Sequence, residues 1–184
     1  MSATRRPARV VPVLLGVLLA ALLVACAGPR STPSPPDSDN SAAHAYPELE
    51  ARLPSEVGGH QMSKVSVAAP PDEQSARTLE LLRRLSKTPA DLQVAVATGD
   101  GGNIQVGAMR VVGSDGVQLA VNFQSVEEDD PASIAVYSTA EIGGKRLLTR
   151  TAESQLTYLY PAGDTMFMLS GEVGLVEKAL ALLP

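Results

Sequence analysis

Two short patterns pair soft metal ligands at a spacing of two residues. His60 precedes Met62, and Met166 precedes Met168, each with one residue between. In a β-strand, residues two apart point to the same face, so each pattern would present both ligands together. Thioether and imidazole groups favour Cu(I). Methionine also fills irregular spaces in cores, so core packing is the first interpretation and a Cu(I) site is the alternative.

Oxygen ligands cluster in two further places. The run Glu127–Asp130 stands ahead of Pro131, and Asp100 and Asn103 flank two glycines. Neither has the regular ligand spacing of an EF-hand loop. The contiguous run is strongly hydrophilic, so we expect it to form a solvated loop rather than the paired carboxylates of a glycosidase.

Residues for nucleophilic catalysis or cofactor binding are few. The chain of 184 residues has two histidines, one cysteine and no Gly-x-Ser-x-Gly, Ser-x-x-Lys or His-Glu-x-x-His pattern. It has no glycine-rich phosphate loop either, so no cofactor is predicted. A net charge of −5, with four Tyr, two Phe and no Trp, argues against nucleic-acid binding. We therefore predict that the protein is not an enzyme.

The single cysteine ends an apolar N-terminal segment. Three arginines at positions 5, 6 and 9 precede residues 10–25, which are all apolar, Gly or Pro. This run is shorter than the roughly 20 residues that a membrane-spanning helix needs. A short apolar run after a basic start is typical of an export signal peptide.

The end of this segment reads Leu23-Val24-Ala25-Cys26. It resembles the lipobox of bacterial lipoproteins. The resemblance implies that the Cys26 thiol receives a diacylglyceryl group, with palmitate among its acyl chains, and that the chain is then cleaved between Ala25 and Cys26. Two or three such chains give stable anchoring. The implied location is the cell membrane, with the protein lipid-anchored and facing the extracytoplasmic side.

Three segments follow from this interpretation. Residues 1–25 are the signal peptide, residues 26–45 are the lipidated cysteine and a disordered Pro/Ser-rich tether, and residues 46–184 form a single domain. Residues 27–45 lack large apolar side chains, so they cannot repay the entropy of ordering. Removing residues 1–25 takes away three arginines and no acid, which changes the net charge from −5 to −8. An acidic domain is repelled by anionic headgroups and is expected to stand off the membrane.

Helical and strand patterns alternate through the domain. Helical spacing predicts a helix that opens at Pro71 or Asp72, a second that starts at 114–116 and ends at the acidic run, and a third over Glu172–Leu183. Strands are predicted at 62–68, 92–97, 104–112, 134–138, 146–149, 155–160 and 165–169. The order β-α-β-β-α-β, then β-β-β-α, predicts an α+β fold, an antiparallel sheet with helices packed on one face. Its first six elements resemble the ferredoxin-like, split βαβ unit.

Two smaller features of the domain have alternative interpretations. Glu56-Val57-Gly58-Gly59 recurs as Glu141-Ile142-Gly143-Gly144; turn chemistry explains the glycine pairs, and an internal duplication is the alternative. Tyr158 and Tyr160 share a strand face and either cap the core or line a ligand groove.

The body of the chain also resembles small secreted or lipid-anchored bacterial domains of unknown function. The residues that carry this resemblance are Leu53-Pro54 ahead of Val57-Gly58-Gly59, Thr88-Pro89-Ala90-Asp91-Leu92, and Tyr158-Leu159-Tyr160 ahead of Gly163-Asp164. The resemblance implies a location and no chemistry. We expect a membrane-anchored lipoprotein with a non-catalytic binding domain, whose partner is an envelope protein or a small ligand. The alternative is an envelope Cu(I)-handling protein that uses His60, Met62, Met166 and Met168.

Overall fold

The computed structural model describes residues 43–68 and 75–184. Four α-helices lie in this part of the chain: α1 (Pro47–Glu50), α2 (Ala76–Arg84), α3 (Gly116–Glu128) and α4 (Val173–Leu182). Eight strands accompany them: β1 (Glu56–Val57), β2 (His60–Ser66), β3 (Leu92–Gly99), β4 (Ile104–Val111), β5 (Val136–Ile142), β6 (Lys145–Ala152), β7 (Gln155–Ala162) and β8 (Thr165–Gly171).

All eight strands form one antiparallel sheet in the order β1-β2-β3-β4-β8-β7-β6-β5. The predicted α+β class with an antiparallel sheet is confirmed. The ferredoxin-like arrangement is wrong, because a split βαβ unit has parallel strands on either side of its helix. Here β2 and β3, which α2 connects, are antiparallel neighbours, and Ser66 at the end of β2 lies opposite Ala95 near the start of β3.

Helices cover both faces of the sheet, whereas the sequence predicted helices on one face. Helices α1 and α4 pack on what we name the first face, with Val106 and Phe167 beneath them. Helices α2 and α3 pack on the second face, with Val111 and Met166 beneath them. Strands β4 and β8 therefore bury side chains on both sides. Strands that bury side chains on both faces have near-continuous apolar sequences. Helices must therefore cover both faces of the sheet to keep these side chains from water.

Local chemistry sets several element ends as predicted. Asp115 caps α3, because its carboxylate accepts a hydrogen bond from the Gln118 N–H at 2.7 Å. Pro89–Asp91 forms a single turn of the 3-10 type ahead of β3. The glycine pairs at 58–59 and 143–144 join β1 to β2 and β5 to β6, and all four have positive φ. A two-residue hairpin turn with positive φ at both positions favours glycine, so turn chemistry accounts for the repeated motif.

Candidate functional site

The four proposed Cu(I) ligands do not meet. Met62 belongs to the core on the first face, where it is 8% exposed, and Met166 is fully buried in the core on the second face. The sheet therefore separates the His60 and Met62 pair from the Met166 and Met168 pair. Both Met166 and Met168 pack against the α2 and α3 side. Within residues 43–68 and 75–184, no three His, Cys, Asp or Glu side chains are placed to hold a metal ion.

His60 instead forms a small polar cluster with the loop between β3 and β4. Its Nδ1 lies 2.7 Å from Asp100 Oδ1, and its Nε2 lies 3.3 Å from the Asn103 side-chain nitrogen. Asn103 Oδ1 is buried without a hydrogen-bond partner in the described part of the chain. A carboxylate thus orients the imidazole, as in hydrolase triads, but the far ring nitrogen faces an amide and not a nucleophile. The cluster holds the loop against the start of β2.

The strongest polar cluster centres on Glu127, within the run that we expected to be a solvated loop. The expectation is wrong here, since α3 continues to Glu128 and the Glu127 side chain is 7% exposed. Arg150 donates two hydrogen bonds to its carboxylate, at 2.6 and 2.9 Å, and the Tyr137 hydroxyl donates a third at 2.5 Å. The guanidinium of Arg77 lies 3.5 Å from the same carboxylate. The cluster joins α2, α3, β5 and β6.

Burial and the neighbouring charges shift the pKa of Glu127 in opposite directions. Burial alone would raise the pKa of its carboxyl, but the hydrogen bonds from Arg150 and Tyr137 and the nearby positive charges outweigh it. The net effect lowers the pKa of Glu127 below its usual value. Burial and the bond to Glu127 raise the pKa of Tyr137. A carboxylate kept ionised beside a neutral phenol is suited to holding elements together, and neither group is poised to exchange protons near neutral pH.

A signal for this burial was present in the sequence. Gly116, Leu119, Ala120 and Glu127 are all buried and recur at helical spacing, so Glu127 continues the buried stripe of α3. The partner Arg150 is 23 residues away in the chain. Only the strand pairing of β5 with β6 brings Tyr137 opposite Arg150.

The two tyrosines lie on the first face of the sheet. Tyr158 is buried, and Tyr160 is half-buried with its hydroxyl donating to the Pro184 oxygen at 2.8 Å. The Tyr160 ring stacks near Phe167, with centroids 6.4 Å apart, and the Lys145 ammonium lies 4.8 Å from its centroid. Both tyrosines thus contribute to the core on the first face.

Strand β5 forms one edge of the sheet, and exposed apolar side chains surround it. Val136 is 67% exposed and Ile134 is 60% exposed. Leu156 on β7 is also exposed; like Val136, it lies opposite Thr151 on β6. Strand β5 contains no lysine or proline. Lysine and proline commonly protect the free edges of sheets, so the β5 edge is open to pairing with a further strand.

The predicted lipidation site, Cys26, and the residue before the cleavage, Ala25, lie outside the described residues. Across residues 43–68 and 75–184, every helix is too short or too polar to cross a membrane. Comparison with protein-family models, curated protein sequences and solved structures finds no match to the chain.

Proposed function

We propose that this protein is a lipid-anchored, extracytoplasmic lipoprotein whose folded domain is a non-catalytic interaction module. The anchoring part of the proposal rests on the basic start, the short apolar run and Leu23-Val24-Ala25-Cys26. Because Cys26 is the only cysteine, its position at the end of that run supports a lipidated thiol.

The main support for the interaction role is the free edge of β5. At the opposite edge, β1 pairs with the start of β2, and His44 forms a bridge with Ser66 at its end. Ala45 also donates its N–H to the Ser66 carbonyl at 2.9 Å. Strand β5 has no equivalent cover from the described residues, and its length gives a partner a continuous row of backbone groups.

The Glu127 cluster ties the β5 edge to α3. The Tyr137 side chain extends from β5 to the second face, where its hydroxyl bonds to Glu127 of α3. Arg150 on the neighbouring strand bonds to the same carboxylate. An edge that is already ordered loses less conformational entropy when a partner binds, so this arrangement favours association.

The anchor is tested by expressing the full chain in a bacterium that processes lipoproteins and separating proteins with Triton X-114. We expect the protein in the detergent phase with an acyl-modified N-terminal peptide by mass spectrometry. The Cys26→Ala variant should move to the aqueous phase or keep its signal peptide. An unmodified Cys26 in the mature protein would refute the anchor.

The interaction role is tested in the same cells with a photo-crosslinking amino acid. One variant carries it at Ser138, which is exposed on β5, and the matched control carries it at Ser63, which is exposed on β2. We expect a discrete cross-linked adduct from position 138 and none from position 63. If position 138 gives no adduct, the proposal that the β5 edge binds a partner is wrong.

A further inference from the structure

We infer that the partner of the β5 edge is a second copy of this chain. The two copies would pair β5 with β5 in antiparallel orientation about a twofold axis at Thr139, which joins both sheets into one. This inference rests on the proposed interaction role and identifies its partner. Three observations support the inference: the register of β5, its sequence and the position of its one charged residue.

The hairpin register determines which backbone groups of β5 are free. Ile142 and Lys145 flank the two-residue turn, and such a flanking pair exchanges its hydrogen bonds within the hairpin. Hydrogen-bonded and non-hydrogen-bonded pairs alternate along antiparallel strands. The N–H and C=O groups of Tyr137, Thr139 and Glu141 therefore point away from β6, to the outer edge.

Thr139 is the middle of these outward-facing residues. A twofold axis at Thr139 places it opposite the partner's Thr139 as a hydrogen-bonded pair. Tyr137 then lies opposite the partner's Glu141, and the reverse pair forms at the other end of the junction. All outward-facing N–H and C=O groups of β5 find a partner in this register.

The charge of β5 argues against a twofold axis at either of the other two outward-facing residues. Glu141 is the only charged residue of the strand. A twofold axis at Glu141 would place two carboxylates directly opposite each other, which is destabilising. An axis at Tyr137 would leave Glu141 beyond the end of the partner strand. The Thr139 register separates the two carboxylates and avoids both problems.

The side chains on the first face also match in this register. Val136 would lie opposite the partner's Ile142, which brings an exposed apolar side chain against a half-exposed one. Ser138 would lie opposite the partner's Ala140. Apolar and small side chains thus meet across the junction, and Val136 loses contact with water.

The test uses engineered cysteines in the full chain, expressed and exported in bacterial cells. Antiparallel hydrogen-bonded pairs have Cα atoms about 5.5 Å apart, within the range for a disulfide. Thr139→Cys should therefore give a disulfide-linked dimer on a non-reducing gel. In the same register the two Val136 Cα atoms lie about 20 Å apart, because six residues separate them along the strand direction. Val136→Cys, which keeps Glu141, and the opposite-edge control Ser63→Cys should remain monomeric, as should the wild type.

The outcomes separate this inference from the proposed function. A Thr139→Cys dimer without a Val136→Cys dimer supports both the second copy and the register. No dimer from Thr139→Cys, equal dimer from all three cysteine variants, or more dimer from Val136→Cys overturns the inference. The photo-adduct at Ser138 provides a readout that does not depend on a folded cysteine variant. An adduct containing two copies of this chain supports the inference, an adduct with a different protein overturns it and keeps the interaction role, and no adduct overturns both.

Discussion

Replacing Glu127 with Gln tests whether the buried cluster holds α3 to the β5–β6 hairpin. The substitution keeps the volume of the side chain but removes the charge that Arg150 and Tyr137 bind. The Arg150 guanidinium, with 16% of its side chain exposed, then keeps its charge without a carboxylate partner. We expect the free energy of unfolding to fall substantially in Glu127→Gln.

The magnitude follows from the burial of both partners. Breaking a buried ion pair by removing one member costs about 3–5 kcal/mol. Gln can still bond to Arg150 through its carbonyl oxygen, so the lower end, about 3 kcal/mol, is expected for Glu127→Gln. For a domain of this size that corresponds to a fall in Tm of roughly 10 °C. Glu128→Gln is the matched control: Glu128 is the next residue and is exposed, so its effect should stay within about 0.5 kcal/mol.

The pH dependence gives an independent check. The folded pKa of Glu127 lies below its reference value of 4.5. A carboxyl with a lowered folded pKa stabilises the protein above the unfolded pKa, and this stabilisation is lost as pH falls through the folded pKa. The stability difference between wild type and Glu127→Gln should therefore be full at neutral pH and shrink below about pH 4.5.

Urea unfolding followed by far-UV circular dichroism, at neutral pH and at acidic pH, measures this difference. A loss below about 1 kcal/mol at neutral pH would mean that the pair behaves like an exposed ion pair, and the argument from burial would fail. A difference that stays constant as pH falls would show that the charge of Glu127 is not its cause.

Three further predictions concern the stability of the folded domain, and urea unfolding checks each. Lys145→Met should lower the free energy of unfolding by about 1–2 kcal/mol, because the ammonium donates to the Leu180 and Leu183 carbonyls at the end of α4 at 2.8 and 2.6 Å; an unchanged midpoint would contradict this. Gly116→Ala should destabilise by more than about 1 kcal/mol, because its Cβ would lie 2.4 Å from the Thr165 carbonyl oxygen. Gly174→Ala, whose Cβ meets nothing within 4 Å, should stabilise α4 by up to about 1 kcal/mol, and equal effects of the two alanines would refute the steric account. Asp115→Ala should lower the free energy of unfolding by about 1 kcal/mol, because α3 loses its N-cap. Asp115→Asn should keep most of the stability, because Asn is also a good N-cap.

The elements that the sequence predicted best depend on interactions within a few residues. The glycine pairs at 58–59 and 143–144 specify their hairpins, since positive φ at both positions favours glycine. Asp115 caps the start of α3, within the predicted range 114–116. The terminal helix was predicted over Glu172–Leu183 and lies at Val173–Leu182, because its apolar stripe has clear helical spacing.

The prediction of one covered face failed because burial on both sides removes the alternation that reveals a half-exposed strand. In β8, Met166, Phe167 and Leu169 are all fully buried, although successive residues point to opposite faces. Such a run has no period of two, so the sequence contains little information about which helix covers which side. The same ambiguity left Met166 and Met168 open to interpretation as metal ligands.

The sequence by itself determined the local events: the hairpin turns, the helix ends, and the succession of helices and strands that specifies an α+β chain. It also carries the expectation of an anchor at Cys26. The tertiary structure decided the contacts between distant segments, because these depend on strand order and on the face that each helix covers. Only the folded chain places Arg150 against Glu127, separates Met62 from Met166 by the sheet, and leaves β5 at a free edge.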